Sequence, residues 1–203
     1  MTAVIFINNF ATISYFFEKK IVLLHIGRSE QQVEIRTEEV NDFADVFQLN
    51  YLAFDNRENE SKLVEKIRVS ESFVPELSIV AKENDQVIGH ALFSKAQVVD
   101  GENKHDVIVL APIAVLPSQQ KKGLGGLLIQ EGLKRSAELG YDYVFLIGHP
   151  TYYPKFGFKP ARSLGFELKQ FDVPDEVFMV YELAQGNRKK VQGELIYPES
   201  FFG

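Results

Sequence analysis

The segment Gln120-Lys121-Lys122-Gly123-Leu124-Gly125 carries the residue types and spacing best suited to chemistry in this chain. It stands between the apolar run at residues 107–111 and a stretch in which Leu124, Leu127, Leu128 and Leu133 recur at helical spacing. A glycine-rich turn that opens a helix points several backbone N–H groups in one direction. Together with the positive end of the helix dipole, they hold phosphate oxygens. Gly123 and Gly125 permit close approach and unusual φ values, and Lys121 and Lys122 add positive charge. Glycine makes up about 7% of residues, so the spacing alone arises by chance in roughly one chain in five of this length. Its placement between strand and helix gives it weight.

Pro112 is the second chemical signal. It stands where the buried run continues, and proline cannot donate to a strand ladder. The strand should kink or bulge there and part from a neighbour. Ile113, Ala114 and Val115 would then keep free backbone groups able to pair with an extended ligand. A ligand with a diphosphate at one end and an amide-bearing arm at the other fits both signals, and coenzyme A has that anatomy. Other phosphate loops do not fit. No Gly-x-x-x-x-Gly-Lys-Ser/Thr occurs, and a dinucleotide fingerprint from Gly123 would need glycine or alanine where Leu128 stands. Ala161-Arg162-Ser163-Leu164-Gly165 lacks the apolar strand that leads into a nucleophile elbow.

The elements that must position these residues begin at Val33. Val33-Glu34-Ile35 alternates as a strand and ends at Thr37, which the pattern predicts to cap a helix. Val40, Phe43, Phe47, Tyr51 and Phe54 predict the apolar face of that helix, and Leu63 and Ile67 that of a second one after the break at Asp55-Asn56-Arg57. Residues 77–81 and 87–93 predict a hairpin turning at Glu83-Asn84-Asp85, and Asp100-Gly101 predicts another turn. Residues 107–111 and 143–147 predict strands buried on both faces. Gly140 predicts a left-handed stop for the helix that starts at Gly123. Residues 166–168 and 177–183 predict a last strand pair with its turn at Pro174-Asp175. The sum is a single mixed α/β domain.

Composition narrows the function further. The 203 residues contain no cysteine, which removes disulfides, thiolate nucleophiles and cysteine-held metals. Twenty-two basic against 28 acidic residues give a net charge of -6, so nucleic acid is not an expected partner. None of the four histidines forms an H-E-x-x-H motif, and no metal is expected. Residues 1–31 are apolar but broken by Asn8-Asn9 and Glu18-Lys19-Lys20, short of the roughly 18 apolar residues of a membrane span. Their first basic residue, Lys19, follows the apolar part, opposite to a signal peptide. They are expected to be an N-terminal extension, either a β-rich segment packed on the domain or sequence upstream of the natural start. Residues 32–203 are expected to form one domain, in the cytoplasm.

Here the sequence resembles the GNAT superfamily of N-acetyltransferases. "LAPIAVLPSQQKKGLGG", residues 110–126, is similar to its acetyl-CoA motif, in which glutamine or arginine opens the pyrophosphate loop. Tyr153-Pro154-Lys155-Phe156-Gly157-Phe158 is similar to its later tyrosine, x, x, x, Gly-Phe segment. "IGHPTYYPKFGF" with the ending "GELIYPESF" resembles the bacterial branch usually called YhbS-like. The resemblance implies a mixed, mostly antiparallel sheet with helices on both faces and a splayed strand pair holding acetyl-CoA. It implies acetyl transfer from acetyl-CoA to an amine, on a small molecule or protein, by direct attack in a ternary complex. The alternative on the same fold is a non-catalytic acyl-CoA-binding or regulatory module.

Residue by residue, the resemblance places the pyrophosphate on Gln120, Lys121, Lys122, Gly123, Leu124, Gly125 and Gly126, and the pantetheine on Ile113, Ala114 and Val115. The Val115 N–H would polarise the thioester carbonyl. Tyr153 maps onto the tyrosine that protonates the departing thiolate; a packing role among Tyr152, Phe156 and Phe158 is the alternative. The attacking amine must lose a proton, since an amine of pKa near 10.4 is only about one part in a thousand neutral near pH 7. His149 and His90 are base candidates, each with a structural role as the alternative, and Asp55 and Glu58 are candidates for contacting a cationic acceptor. A homodimer is the default oligomer.

Overall fold

Apolar runs become strands, and amphipathic runs become helices, in a computed structural model that describes residues 4–7, 11–14, 21–26, 29–183 and 191–202, with side chains from residue 32. Along the chain the strands are β1 (Val4–Ile7), β2 (Ala11–Ser14), β3 (Ile21–Ile26), β4 (Ser29–Thr37), β5 (Ser78–Glu83), β6 (Gln86–Asp100) and β7 (Asn103–Val115). They continue as β8 (Tyr143–Ile147), β9 (Lys159–Pro160), β10 (Phe166–Glu167), β11 (Phe178–Glu182) and β12 (Gly193–Ile196). The α-helices are α1 (Phe43–Ala53), α2 (Asn59–Arg68) and α3 (Leu124–Glu138).

β1 and β2 pair with each other, and the ten remaining strands form one sheet. Its main path runs β3-β4-β5-β6-β7-β8-β11-β9, and β12 pairs with β6 and β10. Among the described residues, only β7–β8 and β10–β12 are parallel. The sheet is therefore mixed and mostly antiparallel, as the resemblance implied. β4 crosses the expected boundary between residues 31 and 32 and pairs with β3 on one side and β5 on the other. Lys19 and the Asn8-Asn9 break lie outside the described residues.

Helices cover both faces. α3 lays Leu124, Leu127, Leu128 and Leu133 on Ile79, Ala91, Ile108 and Leu110. It comes close because Gly132 has no Cβ, which would overlap the Phe93 ring. On the other face, α1 and α2 bury Val46, Leu49, Val64 and Ile67 against Val80, Leu92 and Ala114. Beside them Phe145, Phe166 and Phe178 form an aromatic cluster under the C-terminal segment. Among the described residues, no helix is long and apolar enough to cross a membrane.

Three local expectations are corrected. Thr37 does not cap α1: a 3-10 turn, Val40–Asp42, leads into the helix and is capped by Glu39 through a capping box with Asp42, while Thr37 Oγ1 accepts from Arg135 at 2.8 Å. The buried face of α1 is Val46, Leu49 and Asn50, and Val40 is 76% exposed. Phe43 and Phe47 instead line a groove toward α2, with the Arg68 guanidinium 4.0 Å above the Phe43 ring. Residues 166–168 and 177–183 do not pair with each other: β11 lies on β8 and β9, and β10 pairs with β12. Both turns at Asn84-Asp85 and Asp100-Gly101 are where the sequence puts them, and Gly140 adopts φ 87° after α3.

Candidate active site

The site opens where β7 and β8 part. They pair only at Ile108–Val144 and Val109–Phe145, and β7 then continues to Val115 without β8. Pro112, which cannot donate, lies at an irregularity of the β6–β7 ladder, where Phe93 faces Leu110 but Ala91 faces Ile113. The extra residue shifts the side-chain alternation by one. Ile108 and Leu110 face α3 before it, and Ile113 and Val115 face α3 after it. The Leu116 N–H donates to the Ile88 carbonyl at 3.0 Å. The alternation of an antiparallel ladder therefore turns the backbone of Ala114 toward His90 and directs that of Ile113 and Val115 into the gap. Ala114 is thus corrected: its backbone belongs to the β6 ladder and its side chain to the core beneath α1. The Val115 carbonyl accepts from Gln120 Nε2 at 3.2 Å, which ties the strand end to the loop.

A short 3-10 turn, Pro117–Gln119, carries the chain from β7 to the loop. Lys121 (φ 63°) and Gly123 (φ 89°) are both left-handed, and Gly123 caps α3. The Leu127 N–H bonds back to the Gly123 carbonyl at 3.2 Å. The N–H groups of Leu124, Gly125 and Gly126, one turn earlier, emerge from the helix end with the positive pole of its dipole. Gly125 is glycine for space rather than for φ. A Cβ there would stand 2.7 Å from the Tyr152 hydroxyl oxygen, and one on Gly126 would stand 2.8 Å from the Phe156 ring. Lys121 is exposed at the loop. Lys122 is turned aside: its ammonium donates to Gln119 Oε1 at 2.8 Å, and Gln119 donates in turn to Glu83 at 3.1 Å. This cradle of backbone donors with a flanking lysine fits a diphosphate.

Tyr153 comes from the turn Tyr153–Phe156, which Gly157 ends with φ 95°. Its ring lies on Gly148, where a Cβ would overlap it, and meets Tyr152 and Phe158 edge-on at 5.2 and 5.9 Å. Burial pushes its phenol up to about 12, with a smaller contribution from Tyr152. The O–H is therefore retained throughout the neutral range.

The two base candidates stand in different surroundings. His149 is exposed, and its Nδ1 faces the Thr151 hydroxyl at 3.1 Å and accepts from the Thr151 N–H at 3.4 Å. With Nδ1 accepting, the ring N–H is assigned to Nε2. His90 is fully buried, and burial, with a smaller effect of Arg68, lowers its pKa to about 3. The Ser78 hydroxyl donates to Glu38 at 2.7 Å, so it accepts from His90 Nε2 at 3.2 Å. Asn50 Nδ2 lies 3.5 Å from His90 Nδ1 and donates to the Val46 carbonyl at 2.9 Å. Glu38 also holds the Arg68 guanidinium in a buried ion pair. His90 is a structural histidine in that chain. Glu58 pairs with Lys62 at 2.6 Å, and Asp55 (φ 56°) forms the exposed turn between α1 and α2. Ser163 donates to the Pro160 carbonyl at 2.6 Å.

Sequence reasoning missed Tyr152, whose signal was its place beside Tyr153 and whose hydroxyl meets the bare Gly125. It also missed the Glu38–Ser78–His90–Asn50 chain, whose members lie far apart in sequence.

A family model for the acetyltransferase (GNAT) family matches residues 41–158. The uncharacterized N-acetyltransferase YjhQ of Escherichia coli K12 is 33% identical over 136 residues, 67% of this chain and 75% of YjhQ. The uncharacterized N-acetyltransferase YhbS of the same strain is 34% identical over 143 residues, 70% of this chain and 83% of YhbS. The crystal structure of Escherichia coli YhbS in complex with CoA superposes with a TM-score of 0.78 at 29% identity, covering 88% of this chain and 98% of that one. A GNAT family acetyltransferase from Brucella melitensis in complex with acetyl-CoA gives 0.67 at 29% identity, covering 83% and 97%. The family match spans more than half of the chain and takes in the parted strands, the loop and both tyrosines, and so the chain belongs to the GNAT acetyltransferase family.

Proposed function

We propose that the chain transfers an acetyl group from acetyl-CoA to an amine by direct attack in a ternary complex, and that residues 32–203 carry the activity. The observation behind this reading is the continuity of the gap with the loop. Val115 Cγ2 lies 3.8 Å from the Cβ position of Gly125, so an amide-bearing arm paired with Ile113 and Val115 arrives at the first turn of α3. The CoA and acetyl-CoA complexes of the two similar structures support it.

On this reading the Val115 N–H, one of those directed into the gap, polarises the thioester carbonyl. The neutral amine adds to that carbon, the C–S bond breaks, the Tyr153 O–H gives its proton to the sulfur, and the proton shed by the acylated nitrogen returns through water to the phenol oxygen. A phenol held at about 12 keeps its proton until the C–S bond breaks and then donates to the sulfur; because a thiol of pKa about 8.5 is the stronger acid, the proton passes over only as the acylated nitrogen gives its own back to the phenol oxygen. With His149 bonded to Thr151 and His90 sealed in the core, the amine reaches its neutral form through water. The test is thiol release from acetyl-CoA against a panel of amines, with Tyr153→Phe as control. Release that depends on one amine and falls in the variant supports the enzyme. Tight acetyl-CoA binding with no amine-dependent release would favour an acyl-CoA-binding module.

A further inference from the structure

We infer that Tyr152 is a further cofactor-binding residue: its hydroxyl, lodged over Gly125 beside Val115, donates to the CoA diphosphate at the first turn of α3. The inference rests on the reading of that turn as the diphosphate seat.

Three observations converge on it. The ring approaches α3 end-on, with its oxygen 2.7 Å and its Cζ 3.9 Å from the Cβ position of Gly125. Only the hydroxyl therefore reaches the turn whose N–H groups are unspent. Tyr153 and Phe156 hold the ring edge-on, each at 5.2 Å, and the Lys155 ammonium lies 5.9 Å from its centre. Phe156 in turn occupies the space that the bare Gly126 leaves. Two successive glycines thus receive two aromatic side chains from one short segment, which fixes the hydroxyl against the helix end. Among the described residues no hydrogen bond uses that hydroxyl. Burial raises its pKa, so it remains a donor at neutral pH. A fixed, unspent donor beside a helix N-terminus adds to the anion site that the backbone begins.

The test is calorimetric titration of the full chain with CoA. Wild type, Tyr152→Phe, Gly125→Ala and the double variant are compared, each checked for native folding by circular dichroism. Tyr152→Phe keeps the ring and should raise the Kd about tenfold, the worth of one hydrogen bond to a charged group. Gly125→Ala should weaken binding as well, because its methyl displaces the hydroxyl. In the double variant that clash is gone, since the ring carbon lies at ordinary contact distance, and the Kd should match that of Tyr152→Phe alone. An unchanged Kd in Tyr152→Phe, or fully additive losses, would overturn the role of Tyr152 while leaving the diphosphate seat intact. A wild-type chain that does not bind CoA would overturn the seat itself, and this inference with it.

Discussion

The Tyr153 ring rests on the bare backbone of Gly148, one residue past the end of β8, in the space that a Cβ would fill. The proposed acid is therefore set by a glycine at the point where the parted strand ends. Gly148→Ala should displace the phenol and lower kcat by about tenfold or more, since catalysis is sensitive to shifts of about 1 Å. Tyr153→Phe should do the same, with acetyl-CoA affinity changed less than about threefold. Steady-state thiol release and calorimetry read the two quantities, and an unaltered kcat in Tyr153→Phe would remove the acid role.

The pH profile follows from the same phenol. Burial holds it protonated until about pH 12, so it imposes no alkaline limb below that range. The acceptor amine must be neutral, and kcat/KM should therefore rise about tenfold per pH unit until the pKa of the acceptor is reached. A bell with an alkaline fall near pH 8 or 9 would count against Tyr153.

Gly123 caps α3 at φ 89°, a conformation that costs a residue with a Cβ about 1–2 kcal/mol. Gly123→Ala should lower stability by about that amount and re-aim the first-turn N–H groups. The Kd for CoA should rise at least about tenfold by calorimetry. Native-like binding would mean that the loop does not hold the diphosphate.

His90 makes the fold acid-sensitive. Its pKa falls from 6.5 to about 3 on burial, so the folded state binds fewer protons than the unfolded chain between those values. The neutral ring's contribution is complete above pH 6.5 and is lost as pH falls toward 3, at about 1.4 kcal/mol per unit at most. Urea unfolding at pH 7 and pH 5 should show this loss in wild type and a smaller one in His90→Gln. Equal losses would place the sensitivity in other groups.

Removal of residues 1–31 leaves β4 its pairing with β5 from Glu34 to Thr37 and keeps Val33 in the core. The shortened chain should retain amine-dependent turnover within about threefold. Loss of turnover with native folding would give the N-terminal residues a part in the site.

What the sequence determined by itself was local. The apolar run before Pro112, the glycines at 123 and 140 and the leucine spacing of α3 each constrain the backbone within a few residues, through missing donors, left-handed φ and helical period. They suffice to predict a parted strand followed by a glycine turn that opens a helix. Tertiary structure alone decided which face of α1 is buried. Phe43 and Phe47 are the more apolar choice, yet Val46, Leu49 and the polar Asn50 go inside, where Val46 and Leu49 pack on Val80, Leu92 and Ala114 of the sheet. It alone paired β10 with β12, since strands of two and four residues carry almost no periodicity. It also separated Tyr152 from Tyr153, neighbours in the chain: one ring points at α3 and the other at the end of β8, and only packing on Gly125 and Gly148 distinguishes them. Contacts between residues distant in sequence leave no local period, so they become visible only when the sheet has brought them together.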